Sequence, residues 1–113
     1  HVPHGLSNAM LMPAVTEYSL PGATKRYADC ARVMDLASNT DSDAGAGVKL
    51  LDGLYKLNED LAVPTPKGFG IDADDYHGNL QIMAEQALAS GSPNNNPLVP
   101  TADEIISLYQ KVY

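Results

Sequence analysis

Several things are scarce in this sequence, and each scarcity excludes something. Cys30 is the only cysteine among 113 residues, so no internal disulfide can form, and a reducing compartment, the cytoplasm, is the expected location. Tryptophan is absent and phenylalanine occurs once. Lys and Arg together number 7 against 14 Asp and Glu, a net charge of −7, and the cations are scattered. Binding to nucleic acid requires clustered cations that displace counterions from phosphate, so that partner is set aside. No apolar run approaches the roughly 20 residues of a membrane span, and no basic segment followed by an apolar one marks a secretory signal. There is also no convincing run in which apolar and polar residues alternate, the pattern of a half-buried strand.

What remains is helical periodicity, and it predicts an all-α domain of about five main helices in a compact bundle. The first helix is expected over about Gly5 to Tyr18, with Leu6, Ala9 and Met10 along one face and Pro13 kinking it or ending its regular bonding. After the break at Leu20-Pro21-Gly22, a second helix is expected over about Ala23 to Leu36. Its buried stripe would be Tyr27, Cys30, Ala31 and Met34, which makes Cys30 an inert core thiol. A polar loop from Ala37 to Asp41 leads to Ser42 or Asp41 as a cap. The third helix, about Asp43 to Leu61, carries one row of Leu50, Leu54, Leu57 and Leu61 and another of Val48, Leu51 and Tyr55. Apolar on two sides, it reads as central in the bundle. Val63 to Gly70 reads as loop. A fourth helix is expected over about Asp74 to Ser90, with Tyr76, Leu80, Met83, Ala84 and Ala87 facing inward. Gly91 to Pro100 reads as irregular loop. Thr101-Ala102-Asp103-Glu104 has the form of a capping box, opening a last helix with Ile105, Leu108, Tyr109 and Val112 on one side.

Chemistry-bearing residues are few. His4 follows Pro3 and precedes Gly5 at the start of the first helix, and a neutral imidazole there is a metal-binding group. Taken alone, a histidine at a helix start is more often a structural or exposed residue than a ligand. A catalytic metal also needs three or four ligands. His77 sits beside Asp74 and Asp75 and reads as solvated. The Gly45 and Gly47 pair lacks a preceding strand and forms no dinucleotide fingerprint. The acidic residues Asp72, Asp74 and Asp75 lack the glycine and closing glutamate of a calcium loop. The chain opens on His1-Val2-Pro3-His4-Gly5 with no initiator methionine and enters a helix at once, which reads as a piece of a longer protein.

Beyond these local readings, Pro3-His4-Gly5-Leu6-Ser7-Asn8-Ala9-Met10-Leu11-Met12-Pro13 resembles the segment P-H-G-x-x-N-A-x-x-x-P of the iron-containing, or group III, alcohol dehydrogenases. Leu61-Ala62-Val63-Pro64-Thr65 is similar to that family's L-G-I-P-T turn, with Ala62 in place of the usual glycine. Leu88 to Pro97 resembles its loop before the last helix, and the run from Thr101 to Tyr109 its closing T-x-x-D/E-I-x-x-L-Y pattern. Leu98 stands where many members have arginine, and Ser92 where several have cysteine.

The resemblance implies the helical C-terminal domain of a dehydroquinate synthase-like fold. It implies that His4 is one ligand of a catalytic Fe2+ or Zn2+. The other ligands, an Asp and two His, would lie in a missing N-terminal part of the protein together with the NAD(P)-binding domain. Asn8, Ser92 and Asn96 are weaker candidates for the substrate pocket. The implied activity is hydride transfer between NAD(P) and a small alcohol or aldehyde, in a homo-oligomer, with the isolated chain inactive. Two other readings stay open: a relative such as a maleylacetate reductase, and a stand-alone helical scaffold or interaction domain. If the chain is part of a two-domain enzyme, the surface around the first helix, edged by Leu6, Met10 and the loop 92–96, should be more apolar than a free surface tolerates.

Overall fold

Seven α-helices and two short 3-10 turns, with no strand, make up the computed structural model, which describes residues 1–113. Helix α1 spans His4–Ser19, and a 3-10 turn over Leu20–Gly22 leads into α2, Thr24–Val33. Helix α3 covers Asp43–Asp60, α4 Pro66–Phe69, α5 Ala73–Gly78 and α6 Leu80–Ala89. A second 3-10 turn, Ser92–Asn95, precedes α7, Ala102–Val112. Five of these helices, α1, α2, α3, α6 and α7, are ten residues or longer, the number expected from the periodicity. No helix is long and apolar enough to cross a membrane.

The helices sort into two pairs joined by a bridge. Helix α2 packs along α3, α6 packs on α7, and α1 touches both α3 and α7. The α2–α3 seam is built from small residues: Ala28 and Ala31 meet Ala46, Leu50 and Leu54, with Tyr27, Leu36 and Ala37 against its edge. Alanines let the two backbones approach closely, and Gly53 continues that logic, since a Cβ there would lie 2.5 Å from Leu36 Cδ1. The slab measures 46 × 30 × 19 Å, and its short dimension is about two helix diameters. Most helices therefore have a side facing outward, and only 16 residues are buried.

Several expectations are corrected here. The buried positions of α2 are Ala28 and Ala31, so the stripe is rotated from the expected one, and Cys30 and Met34 are exposed. The cause is the close α2–α3 seam, which selects alanines over larger side chains. In α3 the row of Leu50 and Leu54 is buried, but Val48 is 60% and Tyr55 46% exposed, and Leu57 and Leu61 also face outward, so α3 is not apolar-packed on two sides. The expected fourth helix is two, because Gly78 and Asn79 interrupt it and the chain restarts at Leu80. Thr65 caps a short helix inside the segment expected to be loop, its hydroxyl accepting from the Gly68 amide at 3.0 Å.

Local stop and start signals explain the remaining boundaries. Ser42 caps α3 by accepting from the Gly45 amide at 3.0 Å. The capping box is present: the Thr101 hydroxyl accepts from the Glu104 amide, and the Glu104 carboxylate from the Thr101 amide. Helix α3 ends in a Schellman motif. The Val63 amide donates to the Asn58 carbonyl at 2.8 Å, the Ala62 amide donates to Glu59, and Ala62 takes φ 54°. That left-handed position explains why a glycine is usual in the similar family turn.

Candidate metal-ligand helix and adjoining cavity

Helix α1 begins on His4 itself. Pro3 occupies the N-cap and offers no side-chain acceptor, so the first turn is held only by the Ser7 amide donating to the Pro3 carbonyl and the Ser7 hydroxyl donating to the His4 carbonyl. The His4 ring is exposed, and its one hydrogen-bond partner is Asn8, whose Nδ2 lies 3.3 Å from Nε2. For the Asn8 amide to donate, Nε2 must carry the ring's lone pair, with the proton on Nδ1. That lone pair is also the one a cation would need. His4 and Asn8 are four residues apart on one helical face, where such pairs meet.

This arrangement fits one coordination position. An exposed imidazole with a single weak partner can present its lone pair to a divalent cation. No three His, Cys, Asp or Glu side chains in the chain gather into a group that could hold a metal ion. His1 is exposed. His77 packs edge-on against Tyr76 and Tyr113, with ring centroids 5.5 and 5.0 Å away, and so belongs to the aromatic cluster that fastens the C-terminus to α5.

The face of α1 that starts with His4 and Asn8 continues through Leu11, Val15 and Tyr18. These three line a cavity of about 440 Å³ together with Ala87 and Ser90 at the end of α6, the 92–96 loop, and Ile105, Leu108 and Tyr109 of α7. Leu11 lies seven residues beyond His4, roughly 10 Å along the helix axis. Ser92 and Asn96 both line this cavity, whereas His4 and Asn8 do not. The four candidate residues are thus split between the open end of α1 and the cavity further along the same face.

Both ends of the Asn96 amide are engaged. Its Oδ1 accepts from the Ser19 hydroxyl at 3.0 Å, and its Nδ2 donates to the Leu98 carbonyl at 2.6 Å, tying the loop to the buried end of α1. Ser92 is exposed, and its amide donates to the Ser90 hydroxyl. The surface expected to be apolar around α1 is only partly so: Met10 is buried and Leu6 half-buried, while Met12 and Val15 are exposed.

A contact between α1 and α7 that sequence patterns do not show braces the cavity wall at Tyr18. Tyr18 donates its hydroxyl to the Glu104 carboxylate at 2.8 Å, joining α1 to α7. The Glu104 carboxyl is held below its ordinary range by the Thr101 amide first and the Tyr18 hydroxyl second. Correspondingly, the Tyr18 hydroxyl is pushed up, mainly by its hydrogen bond to Glu104. The capping box pointed to Glu104, but its second partner lies 86 residues away and left no local signal.

Comparison with known proteins agrees with the motif series. The family model for Fe-containing alcohol dehydrogenases, C-terminal part, matches residues 1–113. The NADPH-dependent butanol dehydrogenase of Clostridium saccharobutylicum is 28% identical over 114 residues, which is 100% of this chain and 29% of that protein. An alcohol dehydrogenase of Thermococcus barophilus is 33% identical, over 98% of this chain and 28% of the relative. The crystal structure of a 1,3-propanediol oxidoreductase superposes with a TM-score of 0.89 at 27% identity, covering 99% of this chain and 28% of that one. The chain thus spans less than a third of the length of these relatives. On the full-length family match, with the motif of α1 and the all-helical architecture beside it, the chain belongs to the Fe-containing alcohol dehydrogenase family and corresponds to its C-terminal part.

Proposed function

We propose that this chain is the C-terminal domain of an NAD(P)-dependent, divalent-metal alcohol dehydrogenase that oxidises small alcohols or reduces aldehydes by hydride transfer, and that His4 supplies one metal ligand. The observation that carries the reading is the exposed His4 imidazole at the first residue of α1, inside the family's P-H-G-x-x-N-A-x-x-x-P pattern and with only Asn8 beside it. The remaining ligands and the nucleotide site belong to the part of the protein outside this chain, the metal being Fe2+ or Zn2+. The isolated chain is then inactive, and the whole enzyme is a cytoplasmic homo-oligomer.

When bound, such a cation supplies Lewis-acid chemistry, polarising the alcohol oxygen and lowering its pKa. The chain's own residues do the rest of what falls to this domain. His4 presents its Nε2 lone pair from the first turn of α1, and Asn8 holds the ring's orientation until that lone pair is used. Leu11 and Val15 give the same face an apolar wall that keeps water from the carbon skeleton of a substrate. Ser92 lines the cavity as an exposed polar group, and Asn96 holds the loop that carries it.

The test is His4→Ala in the full-length protein, with metal content by elemental analysis and thermal stability read with and without chelator. Loss of a direct ligand should cost at least the roughly 10 to 100-fold that indirect partners of a metal cost. The melting temperature in chelator should stay near that of the parent, because an exposed side chain leaves no cavity. A variant that keeps full metal and full turnover ends the ligand assignment.

A further inference from the structure

Proline inside a helix removes an amide, and Pro13 lies inside α1. The carbonyl left without its usual donor is that of Ala9, four residues earlier. A partly buried carbonyl without a partner carries its full desolvation cost. In this fold the vacancy is filled from another helix: Asn58 Nδ2 of α3 donates to the Ala9 carbonyl at 2.8 Å.

Asn58 is itself firmly placed. It stands in the last turn of α3, and its own carbonyl accepts the Val63 amide in the Schellman motif that ends that helix. One turn before it, Leu54 is buried in the α2–α3 core. By contrast, the stretch of α1 from His4 to Met12 is lightly held, with Met10 as its only buried residue. Its other side-chain hydrogen bonds stay within α1: Ser7 to His4, Asn8 to His4, and Thr16 to Met12. The Asn58 amide is thus the one side-chain hydrogen bond that ties the His4 end of α1 to a neighbouring helix.

We propose that Asn58 is a positioning residue for the His4 imidazole, acting through the Ala9 carbonyl that Pro13 frees and so setting the path of α1 between Pro13 and the ligand. This rests on the assignment of His4 as a metal ligand. Asn58 touches neither substrate nor metal. It fixes the direction in which the first two turns of α1 leave the proline.

The experiment uses the full-length protein and four variants, Asn58→Leu, Pro13→Ala, the two combined, and His4→Ala. Zinc affinity by chelator competition is read beside the melting temperature of the metal-free protein. Asn58→Leu should weaken zinc about 10-fold, in the range of indirect metal partners. In the combined variant the restored amide of residue 13 takes the Ala9 carbonyl, so its affinity should lie within about twofold of Pro13→Ala alone. Equal loss in both backgrounds, or a lowered melting temperature with affinity unchanged, overturns the proposal. If His4→Ala loses zinc and Asn58→Leu does not, only the positioning role falls. If His4→Ala binds zinc like the parent, the ligand assignment falls and takes this role with it. Should Asn58→Leu not fold, Asn58→Asp keeps the side chain's shape, replaces the donor by an acceptor facing the Ala9 carbonyl, and should show at least that loss.

Discussion

The two ends of α1 are made for different work. From Pro13 onward the helix is sunk into the molecule: Pro13, Ala14, Thr16 and Ser19 are all buried, and Ser19 is bonded to both Val15 and Asn96. Before Pro13 only Met10 is buried, the N-cap has no side-chain acceptor, and one amide from α3 supplies the outside polar tie. The difference teaches where a helix can carry chemistry. A ligand needs an accessible lone pair, hence an open end, and that end must still be aimed by something rigid. The buried half of the same helix supplies the rigidity, and Pro13 marks the boundary between the halves.

The largest test of this division is to damage the buried half alone. Ala14 is 3% exposed, so Ala14→Leu overfills a closed site and should destabilise the full-length protein by about 1–3 kcal/mol in urea unfolding. Zinc affinity of the fraction that remains folded should not change. A parallel loss of affinity would show that the two halves are not separable. Ser19→Ala is the milder version. It leaves Asn96 Oδ1 without its donor and should cost roughly 1–2 kcal/mol, again with affinity intact.

Ionisation sharpens the comparison from the α7 side. Tyr76 donates to the Tyr109 carbonyl at 2.7 Å and stacks on Tyr113, and burial pushes its hydroxyl from 10.0 up to about 12. Its folded value is raised, so its stabilisation is fully present below pH 10.0 and is lost as pH rises toward about 12. Tyrosinate absorbance should rise together with the loss of helical circular dichroism in that window. Glu104 has the opposite sign. Its folded value is depressed, so the stability it contributes is present above the ordinary glutamate range and is lost as pH falls through the folded value. Tyr18→Phe should shift the acid unfolding midpoint, because it removes one of the two groups that hold the Glu104 carboxylate; an unchanged midpoint would mean that the Thr101 amide does this alone.

Smaller effects are expected where α3 ends. Ala62 is a left-handed residue with a Cβ, a conformation that costs about 1–2 kcal/mol relative to glycine before the extra chain entropy of glycine is counted. Ala62→Gly should therefore stabilise by roughly 0.5–1 kcal/mol, read as a higher urea midpoint. A lower midpoint would mean that Ala62 is not strained in solution. The smallest effect belongs to the exposed pair of Lys111 with Glu17, which joins α7 to the buried half of α1. Lys111→Met should cost no more than about 1 kcal/mol, and less in high salt.

How much of this was legible in the sequence depends on how local each signal is. The capping box at Thr101, the Ser42 cap and the five long helices follow from short-range rules, and the structure has them. The face of α2 was misread because periodicity counts apolar residues without knowing that the partner helix lies close enough to demand alanines. Gly78 and Asn79 split a helix whose apolar spacing runs on through them. For the site, the motif around His4 and the Ala62 departure were visible, and so was Pro13. The donor that answers Pro13 was not. Asn58 lies 49 residues from Ala9, and an asparagine near the end of a polar helix turn gives no sign of which carbonyl it will meet. The same holds for Asn96, which lines the cavity while its amide is a strut between Ser19 and Leu98.

The pairing of the helices also carries a timetable. Helices α2 and α3 are neighbours along the chain, joined by a loop that Arg32 clasps through the Ser38 and Asp41 carbonyls, and their alanine seam needs nothing from the rest of the molecule. Helices α6 and α7 are likewise close in sequence. Helix α1, however, must reach α3 and then α7, whose first residue comes 98 positions after His4. Loop-closure entropy makes such distant pairings late and costly. Amide protons of α2 and α3 should therefore gain protection first during refolding, and those before Pro13 last. The stretch with the candidate ligand is then the last to become ordered, and in a cell it would take its shape when most of its scaffold already stood.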